Sequence, residues 1–487
     1  MRETSRFYSS LGLLTVLNAV IKPLWIFGID RQVQNATGTT EYGTYFSLFN
    51  LSVMFSFLCD WGLTAYFNRQ LASRQEGFKQ LTGEFLQAKI QFITIFAIIV
   101  LMVAGASGVA AQHFNIVFGV IAIQAFSSLF LFFRGVITAD QRFSTDAWLS
   151  VLDKTLMIIG CSYFLFISSE GITIQKFIWL QVVCTAISII VTIPILLQAK
   201  FHFSFYKTAF PLIPSAIWKR MKEAFPYALI VLLMSVHYRF DGFLLERIYP
   251  HGAHEAGTYA AGYRLLDAGN MIATLVTIFL LPFIARRWSE KKEITSIILN
   301  LRHFLIVLAI GIALVAILMA PWLQHILYPA ANGNTIEVLQ WCLPALIGYA
   351  LVNIYGTVMT ATGHIRSFCI ITAVSAGVNI ILNLILIPQY GAVGCCIAAL
   401  ISQTGCGIAT MCFVKKQLQL NIDTRSLIIY IIIAAIAGAI LYFGNELGIL
   451  PWLSIAIAAM LAIGLLFITG LLKINNWRST GKMTVVD

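Results

Sequence analysis

The sequence is short of charge. Asp, Glu, Lys and Arg make up only 11% of its 487 residues, whereas 59% are hydrophobic. Soluble chains carry about 25% charged residues, so this one cannot cover a water-facing surface. Acidic residues are the scarcer sign, 21 against 32 Lys and Arg. The surplus of +11 is no nucleic-acid footprint, because basic residues gather in the loops that stay inside during membrane insertion. No CxxC occurs among the nine cysteines, and Cys395 and Cys396 are adjacent, which excludes a disulfide framework and a zinc pattern. His251 and His254 form an isolated HxxH without further ligands, so no metal and no cofactor is expected. HExxH, GxSxG and phosphate-binding glycine loops are missing as well, and the loops on the outer side are short. A polysaccharide polymerase or ligase, the alternative from the enzyme class, would need catalytic groups there, and the chain is not expected to be an enzyme. A basic start (Arg2, Arg6) precedes an apolar run, but Lys22–Pro23 interrupt it and no small-residue cleavage site follows. The first helix is therefore expected to be retained.

Long apolar runs are what the sequence has in abundance. They lie near 9–29, 42–66, 85–109, 114–137, 147–167, 176–198, 224–248, 256–285, 303–327, 338–361, 368–388, 392–414, 427–444 and 451–472. In lipid the backbone must satisfy its own hydrogen bonds, so runs of this length predict helices. The expectation is an all-α polytopic membrane protein with about 14 transmembrane helices. Of the 32 Lys and Arg, 24 fall on one set of connections and three (Arg31, Lys176, Arg247) on the other. That asymmetry puts both termini inside, the segments 200–220 and 286–292 inside, and 250–255 and 330–335 outside.

An internal echo divides the chain. Glu41-Tyr42-Gly43-Thr44-Tyr45 opens the second run, and Glu255-Ala256-Gly257-Thr258-Tyr259 opens the eighth, 214 residues later. Thr138-Ala139 with Arg142 is matched by Thr360-Ala361 with Arg366, at offsets of 222 and 224. These spacings predict two six-helix bundles, 1–200 and 224–416, in a pseudo-twofold parallel repeat about the membrane normal. A cytoplasmic connector (201–223) joins them, and 417–487 adds helices 13 and 14 and a tail.

Charges within a span are costly and mark cavities or partners. At 1.5 Å per residue, Lys22 lies roughly 20 Å above the inner face, and Arg239 and Asp241 roughly 22–26 Å above it. Arg264 and Asp267 lie about 12–17 Å below the outer face. Arg264 and Asp267 at i, i+3 can pair on one helix face, as can His237 and Asp241 at i, i+4. Such pairing leaves Lys22 and Arg239 to be explained by a cavity. Arg134, Asp153 and Lys154 sit toward the inner side, where they line a cavity or snorkel. Asp60 lies at the inner end of the second run, an interface position, and Gly391-x-x-Gly394 is a small-residue step suited to close packing.

The EYGTY opening, Asp60-x-Gly62 with Arg69, Arg239-x-Asp241, and above all Asn383-Leu-Ile-Leu-Ile-Pro-Gln-Tyr-Gly-Ala-Val-Gly394 resemble polysaccharide flippases of the Wzx type. These belong to the multidrug, oligosaccharidyl-lipid and polysaccharide exporter (MOP) superfamily. The resemblance implies a two-lobed bundle in the bacterial inner membrane that moves polyprenyl-diphosphate-linked glycans, with coupling to H+ or Na+. It also implies cationic cavity residues for the anionic cargo, which designates Lys22, Arg239 and Arg264 as substrate-binding residues. Asp241 and Asp267, acids beside these bases, are the ion-coupling candidates. The partners implied are the lipid-linked glycan, the coupling ion and membrane lipids. A multidrug or lipid II exporter of the same superfamily is the alternative; cationic drugs would call for an acidic cavity, whereas here three bases face two acids.

Overall fold

The computed structural model describes residues 12–61 (without 15 and 19), 64, 78–140, 142–198, 215–329, 333–418 and 424–472. Gly62, the basic segment at Arg69, most of the connector 201–223 and the tail from residue 473 lie outside the described residues.

Every regular element among the described residues is helical. The first unit holds α1 (Gly12–Thr37), α2 (Thr39–Cys59), α3 (Phe78–Ala106), α4 (Val109–Ala139), α5 (Phe143–Phe166), α6 (Ile174–Gln198) and nearly all of α7 (Ser215–Ile248). The second begins at Arg247 and holds α8 (Gly252–Ser289), α9 (Thr295–Leu318), α10 (Asn334–Ala361), one helix over Ile365–Leu418, α13 (Thr424–Glu446) and α14 (Pro451–Ile468). Thirteen helices among the described residues are long and apolar enough to cross a membrane. The one over Ile365–Leu418 runs 54 residues and is broken at Gly391, with φ 54° and ψ −127°. Its length of about 80 Å makes two crossings of a hydrocarbon core about 30 Å thick. Its halves, 365–390 and 391–418, are α11 and α12, which brings the helices to fourteen. The chain is a multi-pass membrane protein.

Side chains follow the lipid solvent. On α13 and α14, Ile428, Ile431, Phe443, Trp452 and Ile468 stand exposed. Apolar exposure of this kind suits acyl chains, where only protein–protein packing draws helices together. The first unit packs Phe85, Phe92, Phe130, Phe132, Phe133, Leu149 and Leu196 into one core joining α3, α4, α5 and α6. In the second unit, Leu441 and Ala437 of α13 and Ala458 of α14 pack around Met319, which ends α9. Backbones touch where α10 meets α12. A Cβ on Gly348 would stand 2.5 Å from the carbonyl carbon of Gln403, and one on Gly407 would stand 3.0 Å from the carbonyl oxygen of Gly348.

The Gly391-x-x-Gly394 step works differently from a helix-packing stripe. Gly391 supplies the positive φ of the break, and a Cβ on Gly394 would fall 2.6 Å from the carbonyl oxygen of Leu386 across it. Both glycines therefore make the α11–α12 bend. Pro23 marks a second irregularity: the residues after it, Leu24–Asp30, form a π-helical stretch. A proline removes one i→i−4 bond and crowds the preceding turn, and a widened turn relieves this. None of the nine cysteines is in a disulfide, and eight are buried.

Candidate functional site

In the first unit the intramembrane charges converge. Lys22, half-buried on α1, lies within electrostatic reach of Arg134 on α4 and of Lys154 and Asp153 on α5. Arg134 grips Asp146 with its fork, Nε to Oδ1 at 2.7 Å and Nη2 to Oδ2 at 3.2 Å. Lys154 sits 3.4 Å from its neighbour Asp153 and 5.4 Å above the ring of Trp25, one turn on from Lys22. Trp25 in turn stacks on Phe177 of α6, with ring centroids 5.9 Å apart and planes 7° from parallel. Among the described residues Lys22 forms no ion pair. Three cations thus face two acids, each acid held by a base other than Lys22, and the cluster keeps a net positive charge.

Arg239 of α7 faces α2. A Cβ on Gly242 would come within 2.9 Å of the Phe46 ring and 3.2 Å of the Asn50 amide nitrogen, so glycine lets α7 approach. This brings Arg239 Nη1 to Asn50 Oδ1 at 3.5 Å. Two turns of α7 further on, Glu246 accepts the hydroxyl of Ser47 at 2.5 Å. Asp241, two residues after Arg239, is 1% exposed, as is His237. Their i, i+2 spacing puts Arg239 and Asp241 on different faces of the helix.

The tyrosines of EYGTY are anchors. Tyr42 donates its hydroxyl to Asp30 at 2.9 Å, tying α2 to the π-helical stretch, and the amide of Gln181 on α6 donates to Tyr45 at 3.2 Å. In the second copy Tyr259 and Tyr263 are buried, and Glu255 is buried where Glu41 is exposed. The same α2 ends in an ion pair. Asp60 accepts from Lys89 of α3, at 2.5 Å, and from Thr64. Lys89 is 1% exposed, so the Asp60 of the motif compensates a buried cation that the spacing of the sequence does not reveal.

The sequence profile of the polysaccharide biosynthesis protein family matches residues 9–288. The chain belongs to that family. The match contains α1 to α8 and with them Lys22, Arg134, Lys154, Arg239, Asp241, Arg264 and Asp267. No curated protein matches the chain. Solved structures share its fold. The lipid II flippase MurJ in an inward closed conformation superposes with a TM-score of 0.72 at 15% identity, covering 94% of this chain and 98% of that one. An inward-facing multidrug resistance MATE family transporter of the MOP superfamily gives 0.61 at 12% identity, covering 84% and 98%. A MOP superfamily transporter from Pyrococcus furiosus, described as having a binding pocket of reversed polarity, gives 0.58 at 11%, covering 84% and 94%. These likenesses show that the chain shares the fold of MOP superfamily transporters.

In the second unit, Arg264 and Asp267 lie half-buried one turn apart on α8, and both are engaged in interactions. Asn270 continues their stripe and accepts from Asn353 of α10 at 2.8 Å. The five expected site residues are thus divided, with Lys22, Arg239 and Asp241 in the first unit and Arg264 and Asp267 in the second. A further polar island lies at the α11–α12 pair, where Asn383 donates to Asn379 at 3.1 Å and Asn379 to Ser402 at 3.2 Å. Among the described residues no three His, Cys, Asp or Glu side chains gather as a metal site would require.

Proposed function

We propose that this chain flips a polyprenyl-diphosphate-linked oligosaccharide, the repeat unit of an O-antigen, capsule or exopolysaccharide, across a bacterial inner membrane. The carrying observation is the net cationic cluster of Lys22, Arg134 and Lys154 on three membrane helices, beside Trp25. A diphosphate bears about two negative charges and must exchange its water for donors in a region of low dielectric. Lysines supply mobile point charge and arginine a paired fork. Arg239 with Asn50 extends the donor set of the first unit, and Arg264 is the substrate-binding candidate of the second. An excess of bases favours this anionic cargo over the cationic drugs that a multidrug exporter moves.

In this reading the repeats 1–200 and 224–416 exchange inward-open and outward-open states, and both termini face the cytoplasm. Asp241 and Asp267 carry the coupling, since taking up H+ or Na+ weakens their hold on neighbouring bases and shifts the balance between states. The chain acts as a transporter, and no bond of the glycan is made or broken.

Export in cells and protein abundance, read together for Arg239→Ala and Arg239→Lys, provide the test. Arg239→Ala should stop export and leave lipid-linked glycan accumulating on the cytoplasmic face at normal protein level, and Arg239→Lys should retain part of the activity. Reduced abundance with unchanged transport per molecule would assign Arg239 to structure and defeat the reading.

A further inference from the structure

A second buried cation lies in the other unit, on helices that the proposed transport path does not use. Arg302 of α9 is 3% exposed. Its Nη2 donates to Ser426 Oγ of α13 at 3.3 Å. The hydroxyls of Tyr355 on α10 and Tyr430 on α13 also face the guanidinium. Tyr430 is held by His303, hydroxyl to Nδ1 at 2.6 Å. Ser426, Tyr355, Tyr430 and His303 are all buried. Among the described residues no carboxylate pairs with Arg302.

The cluster is rich in donors and poor in acceptors. Arg302 brings five N–H groups, and every neighbour it meets is a neutral hydroxyl. Its Nε and the Tyr355 hydroxyl are buried without a hydrogen-bond partner. Hydroxyls accept hydrogen bonds but do not neutralise charge. A buried cation without a counter-charge costs several kcal/mol, and a guanidinium does not escape by losing its proton. What the site lacks is one small negative charge.

We propose that Arg302, Tyr355 and Ser426 bind a small monovalent inorganic anion of the halide class. One guanidinium among neutral groups balances one negative charge. The burial of all five side chains excludes a lipid headgroup or a glycan diphosphate, and a small desolvated ion is what matches the single charge. Arg302 Nε–H and the Tyr355 O–H are the two donors left to meet it. The anion ties α13, a helix outside the predicted repeat, to α9 and α10, and it makes the stability of this corner depend on salt identity as well as ionic strength.

The test uses the purified full-length protein in detergent. Melting is followed in sodium chloride, in sodium bromide and in sodium gluconate at matched ionic strength. A saturable rise in Tm with either halide over gluconate is expected, following mass action for a ligand bound only by the folded state. Tyr355→Phe, which removes one hydroxyl and little volume, should move the midpoint of that rise to higher halide concentration. Arg302→Met should abolish the halide dependence. Equal melting of the unaltered protein in halide and gluconate would overturn the proposal, as would a halide response untouched in both variants. Crystals soaked in bromide should show an anomalous peak beside the guanidinium, and a halide-stabilised protein lacking that peak would place the ion elsewhere.

Discussion

The carboxylate of Glu255 accepts the backbone N–H of Ala392 at 2.9 Å. The two residues belong to the two motifs that stand out in the sequence, the EAGTY that opens α8 and the stretch that bends α11 into α12. Glu255 places an acid at the N-terminal end of α12, where carboxylates are stabilising.

From this contact we expect Gly391→Ala to be costly. A backbone at φ 54°, ψ −127° is strained for any residue with a Cβ, and that Cβ would lie 2.6 Å from Glu255 Oε2. Such strain alone is worth about 1–3 kcal/mol. Glu255→Ala removes the cap and should cost about 1 kcal/mol, while Glu255→Gln keeps an acceptor and should cost less. Melting in detergent ranks them; a Gly391→Ala protein as stable as the parent would show that the bend relaxes without penalty.

The Lys89–Asp60 pair predicts an asymmetry. Lys89 is buried, whereas the Asp60 side chain is 34% exposed. Asp60→Ala strands a buried cation and should destabilise by about 3–5 kcal/mol. Lys89→Met leaves a carboxylate that water reaches and should cost distinctly less. The double substitution Asp60→Ala, Lys89→Met should recover much of the first loss. Equal damage from both single changes would mean that Asp60 is as sequestered as its partner.

How much of this was legible in the sequence depends on the range of the interaction. The helix count and the place of the α11–α12 bend are local matters of apolar run length and of glycine, and the apolar runs near 368–388 and 392–414 flank the observed break at Gly391. The separation of Arg239 from Asp241 follows from helical periodicity. The neighbours of Asp60, Lys22 and Glu255 do not follow from any spacing. Lys89 comes from the next helix, Lys154 from four helices on, and Ala392 from 137 residues away. Arg302 was misleading for a related reason: near a helix end it reads as one more inside-facing base, and only packing shows it enclosed. Lys89, counted like Arg302 among the 24 bases assigned to the inner side, is likewise enclosed, which only packing shows.

Coupling makes a prediction for vesicles. If Asp241 and Asp267 carry it, export into vesicles bearing an imposed proton or sodium gradient should lose its gradient dependence in the Asp241→Asn, Asp267→Asn double variant. Residual downhill movement should persist, because the carboxamides keep shape and hydrogen bonding while losing titration. Gradient dependence undiminished in the double variant would remove both acids from that role.

The cluster in the first unit separates a cargo contact from a structural pair. Arg134 holds Asp146 in a two-pronged bond, and Asp146 is largely buried. Arg134→Lys keeps the charge but loses the fork, so its effect should fall mainly on stability. Lys22 forms no ion pair among the described residues, and its charge is the surplus of the group. Lys22→Gln should therefore leave stability near that of the parent, or raise it by relieving repulsion from Arg134 and Lys154, while export falls. Lys22→Arg should restore export because the cargo needs the charge. A Lys154→Gln change should act in the same direction as Lys22→Gln, and the pair should combine to less than the product of the single effects if one diphosphate meets both. The readouts are melting temperature, membrane abundance and accumulation of lipid-linked glycan on the inner face. Full export by Lys22→Gln and Lys154→Gln together would deny the cluster its anionic cargo and leave it as packing for α1 against α4 and α5.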